Sequence, residues 1–508
     1  MLRVWDRIPP KPITPGRYLA KNKKLNIVLT SSELAPFAKT GGLADVTAAL
    51  SAYLHRSGHD VRVLIPRYAR IDRMGIDTEP VEHLQDLGMR IGGHEVRYAI
   101  DTVTLPGSHL QIYLLRCPAF FGRENIYTQD DDEQLRFTML SRAAIEMCQM
   151  TGFAPHIFSC HDWQTALIPL YLRSVYAWDR LFAETRSVLT IHNIGYQGMF
   201  PAHVLGQLGL DGAEQHLHQD DLKDGVINFL KTGVMYADLI TTVSPTYARE
   251  ILGEEYGMGL NYLLRERTNT LVGILNGVDY GEWDPSSDEL LPANYSANDM
   301  SGKATCKSVL MRDLGLDEDP DMPLVGIVSR LVGQKGFDLV KSVVPRLLVD
   351  RRFSLAVLGS GESHLESFFA WLQHNFEGRV CFYKGYNNKL AHWIEAGADM
   401  FLMPSRYEPC GLNQMYSLRY GTVPIVRETG GLADSVQLYD PDSGTGTGIV
   451  FRNYDEQGLA WALNSALDLY ADKPHWRRIV ANGMAMDFSW ERQGARYVEL
   501  FRQLSNAE

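Results

Sequence analysis

Short runs of apolar, often β-branched residues alternate with amphipathic stretches along most of this chain. A first series begins with LNIVLT at 25–30, and its other members lie between residues 61 and 244. A second series begins with PLVGIVSR at 323–330 and ends with TVPIV at 422–426. Each run is short enough for a buried parallel strand, and most precede a helical pattern. This alternation predicts an α/β protein whose parallel sheets are covered by helices on both faces.

A polar zone without strand-like runs, from about Asn276 to Pro323, separates the two series. At 508 residues the chain is too long for one ordinary core, so we predict two doubly wound, Rossmann-like domains. Ligands bind beyond the carboxyl ends of such strands, and two domains facing each other would form a deep cleft. The predicted boundaries are an extension at 1–24, domains at 25–272 and 273–487, and a helical C-terminal segment at 488–508.

Charge and cysteine usage narrow the functional class. The formal net charge of −12 argues against nucleic-acid binding, and no apolar run is long enough to span a bilayer. The six cysteines are scattered and form no CxxC pair, which is typical of reduced thiols in the cytoplasm. The basic extension contains four prolines but no apolar signal region, so we interpret it as a surface arm. A transit peptide is a weaker alternative, because the extension lacks serine.

The hexapeptide TGGLAD occurs at 40–45 and again at 429–434. Each copy follows a predicted strand and precedes a helical pattern. Paired glycines at such a turn let the backbone approach a ligand and expose N–H groups at the helix start. Either copy could equally be a tight turn without a ligand, since nothing around the two copies repeats.

Two cations follow the first strand of the second series. Arg330 and Lys335 lie in SRLVGQKGFD, on either side of a turn that contains glycine. A planar guanidinium and an ammonium beside a flexible backbone suit a diphosphate. The alternative is two solvated surface cations, but the carboxyl end of a strand favours the phosphate interpretation.

The stretch SRYEPCGLNQ supplies a carboxylate and a candidate helix start. Proline has no N–H to satisfy, so Pro409 suits the first turn of a helix. The N–H groups around Gly411 and Leu412 would then point into the cleft. Glu408 either stabilises the helix dipole or binds sugar hydroxyls.

Polar residues end two strands of the first series. CHDWQTALIPLYL places His161 and Asp162 at one strand end, and LTIHNIGYQGMFP places His192 at the next. Asp162 could be a helix N-cap, and a lone histidine is more often structural than catalytic. Their position above the sheet, beside other polar strand ends, favours a ligand site.

The ordered set KTGGLADV, HDW, HNIGYQG, NGVDYGEWDP, RLVGQKG and EPCGLNQ resembles the bacterial glycogen synthases and plant starch synthases. The resemblance runs from about Leu25 to the C-terminus. It implies a GT-B fold and transfer of glucose, with retention, from a nucleotide-glucose to the non-reducing end of an α-1,4-glucan. It also implies that the C-terminal helix packs back on the first domain. The basic extension departs from the common family start, and Asn413 stands where many relatives have threonine.

The resemblance assigns roles to residues of the first domain. Lys39, Gly41 and Gly42 would lie near the donor phosphate and sugar. Asp162 would lie at the reacting centre, and His192 would contact the 6-hydroxyl of the donor glucose.

It also assigns roles along the rest of the chain. Asn276 would meet the same sugar, Arg330 and Lys335 would hold the diphosphate, and Tyr386 would stack on the base. The others would hold glucose hydroxyls and phosphate: Glu408, Cys410, Gly411 and Leu412.

No cofactor is expected, because the sequence has no convincing metal motif. Its acidic runs DDD, DED and DPD lie in polar stretches that solvated turns explain. Cations and N–H groups would then stabilise the leaving diphosphate. Another GT-B transferase, a nucleotide-sugar epimerase and a non-catalytic sugar-binding protein are the alternatives. We expect ADP-glucose rather than UDP-glucose, although Tyr386 would stack on either base; the oligomeric state is left open.

Overall fold

The computed structural model describes residues 24–91, 93–210 and 214–506. The chain divides into two compact units. It passes from the first unit to the second after Gly277 and returns after Ser489, a few residues beyond the predicted boundaries at 272 and 487. Ser244–Tyr247 also group with the second unit. The predicted extension at 1–24 lies outside the described residues except for Lys24.

The described part of the first unit contains one large sheet and one two-stranded sheet. The strands of the large sheet are β1 (Asn26–Thr30), β2 (Asp60–Pro66), β3 (Glu79–Pro80), β4 (Leu87–Ile91), β5 (His94–Thr104), β6 (Gln111–Arg116), β7 (Ile157–His161), β8 (Arg186–Ile191), β11 (Leu239–Thr242) and β12 (Leu271–Gly273). The small sheet pairs β9 (Met199–Pro201) with β10 (Val226–Asn228).

The large sheet runs in the order β12-β11-β8-β7-β1-β2-β6-β5-β3, and β4 pairs with β5. The strands from β12 to β6 are parallel, as the buried apolar runs predicted. The antiparallel strands β3, β4 and β5 were not predicted. Exposed Arg97 lies between buried Val96 and Tyr98 in β5, the alternation of a strand with one solvated face.

Helices alternate with these strands between β1 and β12. They are α1 (Gly42–Arg56), α2 (Ala69–Arg73), α3 (Pro118–Phe121), α4 (Glu133–Thr151), α5 (Ile168–Arg173), α6 (Gln219–Lys223), α7 (Phe229–Tyr236), α8 (Pro245–Glu250) and α9 (Asn261–Glu266). The amphipathic pattern at 43–57 is confirmed as α1, whose apolar residues are buried against the sheet.

The second unit has a parallel sheet in the order β15-β14-β13-β16-β17-β18. Its strands are β13 (Leu324–Val328), β14 (Ser354–Gly359), β15 (Val380–Lys384), β16 (Met400–Met403), β17 (Val423–Arg427) and β18 (Ile449–Phe451). Its helices are α10 (Ser301–Asp313), α11 (Phe337–Asp350), α12 (Ser363–Asn375), α13 (Asn388–Gly397), α14 (Asn413–Arg419), α15 (Gly430–Ser435), α16 (Glu456–Ala471) and α17 (Lys473–Met484).

The chain ends in α18 (Trp490–Ser505), which belongs to the first unit and packs on α1. Gly494 lets the two helices approach closely, because a Cβ atom there would lie 2.3 Å from the Tyr53 ring. No helix of the described ranges is long and apolar enough to cross a membrane.

The strand orders mark where each unit binds a ligand. In the first unit the chain runs outward from β1 through β2 to β6, and later returns beside β1 with β7. In the second unit the same reversal falls between β13 and β16. Open α/β sheets bind ligands at such switch points, beyond the carboxyl ends of the strands.

A buried carboxyl group in the second unit makes its stability depend on pH. Glu395 on α13 is 1% exposed, and the Ser417 hydroxyl donates to its Oε2 at 2.6 Å. Burial raises the pKa of Glu395 from 4.5 to about 8. Between these two values the native state binds more protons than the unfolded state. The free energy of unfolding therefore falls as the pH rises from 4.5 to about 8.

Glu395→Gln cannot titrate, so we expect it to lose this component of the pH dependence. Relative to wild type, the variant should gain stability from pH 5 to pH 9, by an amount on the order of a few kcal/mol. Thermal unfolding of both proteins at several pH values measures the difference. Parallel pH profiles would contradict the assignment.

Candidate active site

Polar side chains end three neighbouring strands at the switch point of the first unit. Glu33 follows β1, Asp162 directly follows β7, and His192 directly follows β8. Glu33 did not stand out in the sequence, whereas Asp162 and His192 were predicted site residues.

Glu33 organises the turn that leads into α1. Its carboxylate is 3% exposed and accepts hydrogen bonds from Thr40 N at 2.5 Å, Thr40 Oγ1 at 2.6 Å and Gly41 N at 3.3 Å. Lys39 forms an ion pair with Asp45 on the first turn of α1, at 2.7 Å. A Cβ atom at Gly41 would meet nothing within 4 Å, so the backbone there is open to an approaching group.

Asp162 has an unusual backbone conformation and a fixed side chain. Its φ of 55° is in a region that non-glycine residues rarely adopt, and such positions cluster at functional sites. Oδ1 accepts hydrogen bonds from His192 N at 2.7 Å and from Asn193 N at 3.4 Å. The side chain makes no capping bond to the following 3₁₀ turn, so the N-cap alternative is wrong.

Burial also changes how Asp162 titrates. Desolvation raises its pKa from 3.8 to about 7, and the nearby charge of Glu33 adds to this increase. The two backbone N–H donors lower the pKa but do not offset the burial. Titratable groups shifted toward neutral pH are typical of functional sites.

The two histidines form a neutral pair. His161 Nδ1 lies 2.9 Å from His192 Nε2, and the rings stack with their centroids 5.2 Å apart. Burial lowers the pKa of His161 to about 3 and holds the pKa of His192 well below its usual value. His192 can therefore orient a hydroxyl by hydrogen bonding, but it carries no positive charge near pH 7.

Asn276 is a further polar group of the first unit. It is 4% exposed, and its Oδ1 has no hydrogen-bond partner among the residues that the structure describes. A buried acceptor left unbonded costs about 1–3 kcal/mol, so a ligand donor at this atom would be favourable.

In the second unit, the structure brings two predicted site residues into direct contact. Lys335 Nζ lies 2.6 Å from Glu408 Oε2, and Ser405 Oγ donates to the same oxygen at 3.0 Å. Lys335 lies in the loop after β13, and Glu408 lies in the loop after β16. The pair therefore spans the switch point of this sheet. The Glu408 side chain is 6% exposed and that of Lys335 is 19% exposed.

The predicted helix start at Pro409 is wrong. The helix α14 begins at Asn413, and Leu412 is its N-cap residue. Gly411 has a φ of 70°, which directs the chain through a turn before the helix. Asn413 Nδ2 donates to the carbonyl of Val328, at the end of β13. Since Glu408 precedes the helix by a full loop and pairs with Lys335, the helix dipole does not explain its position.

Glycines allow the loops around this ion pair to pack closely against each other. A Cβ atom at Gly336 would lie 2.0 Å from the Pro404 carbonyl oxygen, and one at Gly430 would lie 1.9 Å from that of Glu408. Gly431 N also donates to the Glu408 carbonyl at 3.1 Å. The second TGGLAD is thus packed behind the Glu408 loop, whereas the Gly41 backbone in the first copy is open.

The other predicted residues of the second unit occupy varied environments. Arg330 is exposed, and within the described ranges its guanidinium contacts no ionic or hydrogen-bonding partner. Tyr386 is 70% exposed, and its hydroxyl donates to Asn388 Oδ1 at 2.7 Å. Cys410 is buried, while Gly411 and Leu412 are half-buried at the turn before α14.

The predicted site residues form two sets, one in each unit. The first set contains Lys39, Gly41, Gly42, Asp162, His192 and Asn276. The second contains Arg330, Lys335, Tyr386, Glu408, Cys410, Gly411 and Leu412. In the described part of the chain, no group of three or more His, Cys, Asp or Glu side chains is arranged to hold a metal ion.

Comparison with known proteins connects both units to glycosyl transfer. The family model for the starch synthase catalytic domain matches residues 26–266, and that for glycosyl transferases group 1 matches residues 313–484. A glycogen synthase of Anaeromyxobacter sp. is 45% identical over 95% of this chain and 100% of its own length. The chain belongs to the glycogen and starch synthase family.

Two further comparisons agree with this membership of the family. Glycogen synthase 1 of Geobacter sulfurreducens is 44% identical over 94% of this chain and 96% of its own length. The catalytic domain of starch synthase IV from Arabidopsis thaliana, solved with ADP and acarbose, superposes with a TM-score of 0.87. It is 35% identical, and the match covers 95% of this chain and all of that one.

A more distant structure bears on the fold alone. Sucrose-phosphate synthase from Thermosynechococcus elongatus shares 18% identity, with a TM-score of 0.59 over 96% of this chain and 100% of that one. The predicted GT-B fold, with its two Rossmann-like domains, is confirmed. The chain is a glucosyltransferase of the glycogen synthase type, as the ordered motifs indicated.

Proposed function

We propose that this protein transfers glucose from ADP-glucose to the non-reducing end of an α-1,4-glucan, with retention of configuration. The observation that carries the proposal is the Lys335–Glu408 pair at the switch point of the second unit. It combines a cation suited to a diphosphate with a carboxylate suited to a sugar. ADP and acarbose in the related starch synthase IV structure support the donor base and the glucan.

Breaking a glucosyl–phosphate bond places positive charge on the sugar and negative charge on the diphosphate. Lys335 and Arg330 would stabilise the diphosphate, with N–H groups of the Gly411–Leu412 turn, and Glu408 would stabilise the sugar. Lys335 also lies in contact with buried Glu408 and gives that carboxylate an ion-pair partner. The second unit would therefore supply most of the electrostatic stabilisation of the transition state.

The first unit would orient the sugar. His192 is neutral, so it would hold the 6-hydroxyl by a hydrogen bond rather than act as a cationic acid. Asn276 Oδ1 would accept a hydrogen bond from a hydroxyl of the donor sugar. The open backbone at Gly41 and the exposed Gly42 would let the start of α1 approach the donor phosphate. Asp162 would lie beside the reacting carbon. We propose attack on the face that the diphosphate leaves, with a phosphate oxygen taking the acceptor proton.

The donor base is tested by comparing kcat/KM for ADP-glucose and UDP-glucose with glycogen as acceptor. We expect ADP-glucose to be preferred, with Tyr386 stacking on the adenine. A preference for UDP-glucose would replace the donor but keep the reaction class. Nucleotide-glucose cleavage without glucan extension would favour another GT-B enzyme, and donor binding without turnover would favour a sugar-binding protein.

We expect turnover to need no metal ion, because Arg330 and Lys335 would supply the charge that neutralises the leaving diphosphate. Activity measured after treatment with EDTA should equal that of the untreated enzyme. Loss of turnover that magnesium restores would contradict this expectation.

A cytoplasmic location stays a prediction from the cysteine pattern.

A further inference from the structure

Glu33 is a buried carboxylate that belongs to none of the recognised motifs. It lies three residues beyond the end of β1, where the Glu33 backbone N–H donates to Ser31 Oγ at 3.2 Å. Its side chain points back toward the turn that begins α1. There, three donors of two residues converge on it: Thr40 N, Thr40 Oγ1 and Gly41 N.

A second group fixes the carboxylate from the other side. Tyr127 Oη donates to Glu33 Oε1 at 2.6 Å and also lies 2.9 Å from Ser32 Oγ. Tyr68 Oη donates to the Ser32 carbonyl at 2.9 Å. The carboxylate therefore connects Tyr127 to the turn, while Tyr68 holds the backbone of the neighbouring Ser32. Its geometry is set by groups outside the turn.

These hydrogen bonds determine what the turn can present to a ligand. The N–H groups of Thr40 and Gly41 are directed at Glu33, so they are not available to an incoming phosphate. Lys39 precedes them, and Gly42 follows as the first residue of α1. Fixing Thr40 and Gly41 fixes the backbone on both sides, where Lys39 and Gly42 are proposed to meet the donor.

We propose that Glu33 is a positioning residue of the transferase, holding the Thr40–Gly41 turn so that Lys39 and Gly42 keep their places beside the nucleotide-glucose. The inference rests on the proposed function, because it takes the turn to be part of the donor site. In this role Glu33 acts through the turn, since its carboxylate accepts from Thr40, Gly41 and Tyr127.

Three variants separate positioning from simple stability. Glu33→Ala removes every hydrogen bond between the carboxylate and the turn. We expect kcat/KM for ADP-glucose to fall by about tenfold or more, since displacing substrate-positioning groups by about 1 Å is costly in catalysis. Glu33→Gln keeps an oxygen for the two N–H groups, and its amide can donate to the two hydroxyls. It should recover most of the lost activity. Thr40→Val removes the hydrogen bond from Thr40 Oγ1 to Glu33, so it should change kcat/KM little when it is added to Glu33→Ala.

Glu133 offers a matched control in the same unit. It is also a buried carboxylate, and it accepts from the N–H and hydroxyl of Thr128 and from Arg136. Glu133→Gln should lower the melting temperature while the folded enzyme keeps its kcat. The positioning role is wrong if Glu33→Ala lowers the melting temperature but keeps the wild-type kcat, as expected of Glu133→Gln. It is also wrong if Glu33→Gln recovers none of the activity that Glu33→Ala loses.

Amide hydrogen exchange gives a readout that does not depend on turnover. Peptides covering residues 38–43 should exchange faster in Glu33→Ala than in wild type and Glu133→Gln. ADP should slow the exchange of these peptides in the wild type, but only weakly in Glu33→Ala. A wild-type enzyme without glucosyl transfer would overturn the proposed function, whereas unchanged exchange in Glu33→Ala would overturn the positioning role by itself.

Discussion

Lys335→Ala is expected to lower kcat/KM for the nucleotide-glucose by roughly 10²–10³-fold. One preorganised donor aimed at developing negative charge contributes about 3–4 kcal/mol to transition-state stabilisation. Lys335 has a second effect, because its ammonium lies 2.6 Å from the Glu408 carboxylate. Without it, Glu408 stays buried beside Ser405 but loses its counter-charge.

Arg330→Ala tests the other half of the diphosphate site. We expect a loss of similar size, since the described residues give this exposed guanidinium no partner and leave it able to bind an anion. Arg312→Ala is the matched control, because Arg312 forms an exposed ion pair with Glu318 on the same unit. Steady-state kinetics of the three variants should separate Arg330 and Lys335 from Arg312. Near-normal rates for the first two would show that the phosphate site lies elsewhere.

Glu408→Gln is expected to lose roughly 10²-fold or more in kcat, the scale of one electrostatic catalytic group. As the bond to the diphosphate breaks, the glucose becomes positively charged, and a nearby anion gains attraction. An interaction that is stronger in the transition state lowers kcat when it is removed, rather than raising KM alone. Glutamine keeps the shape and an acceptor for Ser405 Oγ, so the variant isolates the charge.

The stability of Glu408→Gln is the control for this experiment. We expect the variant to melt within a few degrees of wild type, because Lys335 stays partly exposed and can be solvated. The double variant Lys335→Ala/Glu408→Gln should be less impaired than the product of the two single losses, since contacting residues couple. A glutamine variant with normal kcat would reduce Glu408 to a structural residue, and additive losses would separate it functionally from Lys335.

The strand pattern predicted most of the fold because both sheets are built from buried parallel strands. Such strands are apolar on both faces and appear as continuous runs. The antiparallel strand β5 alternates instead, and β12 and β18 are each three residues long, so none of them was predicted. The start of α14 was misplaced because proline suits a first turn, whereas the chain makes a Gly411 turn before the helix.

The candidate site could be predicted only in part. The residues Lys335 and Glu408 were found from strand ends, but their contact joins loops 73 positions apart and depends on the order of β13 and β16. Glu33 went unnoticed, although a charged residue just beyond a buried strand was a usable signal. Its contacts with Tyr127, 94 positions away, required the folded chain.

The identical TGGLAD segments also show what the sequence alone could not predict. Their sequences predict the same strand-to-helix turn, and both copies form one. Their surroundings differ, because Gly430 and Gly431 pack on the backbone of the Glu408 loop while Gly41 meets open space. Burial, which a short motif does not encode, distinguishes the structural copy from the candidate ligand-binding copy.

Following labelled glucose from ADP-glucose into glycogen tests whether this protein extends an α-1,4-glucan. The purified protein, incubated with ADP-[¹⁴C]glucose and glycogen, should release ADP and incorporate an equal amount of label into polymer. β-Amylase should then release that label as maltose, as expected for α-1,4 addition at non-reducing ends. Label recovered only as free glucose, or label in polymer that β-amylase cannot release, would show that the protein does not add glucose by α-1,4 bonds at non-reducing ends.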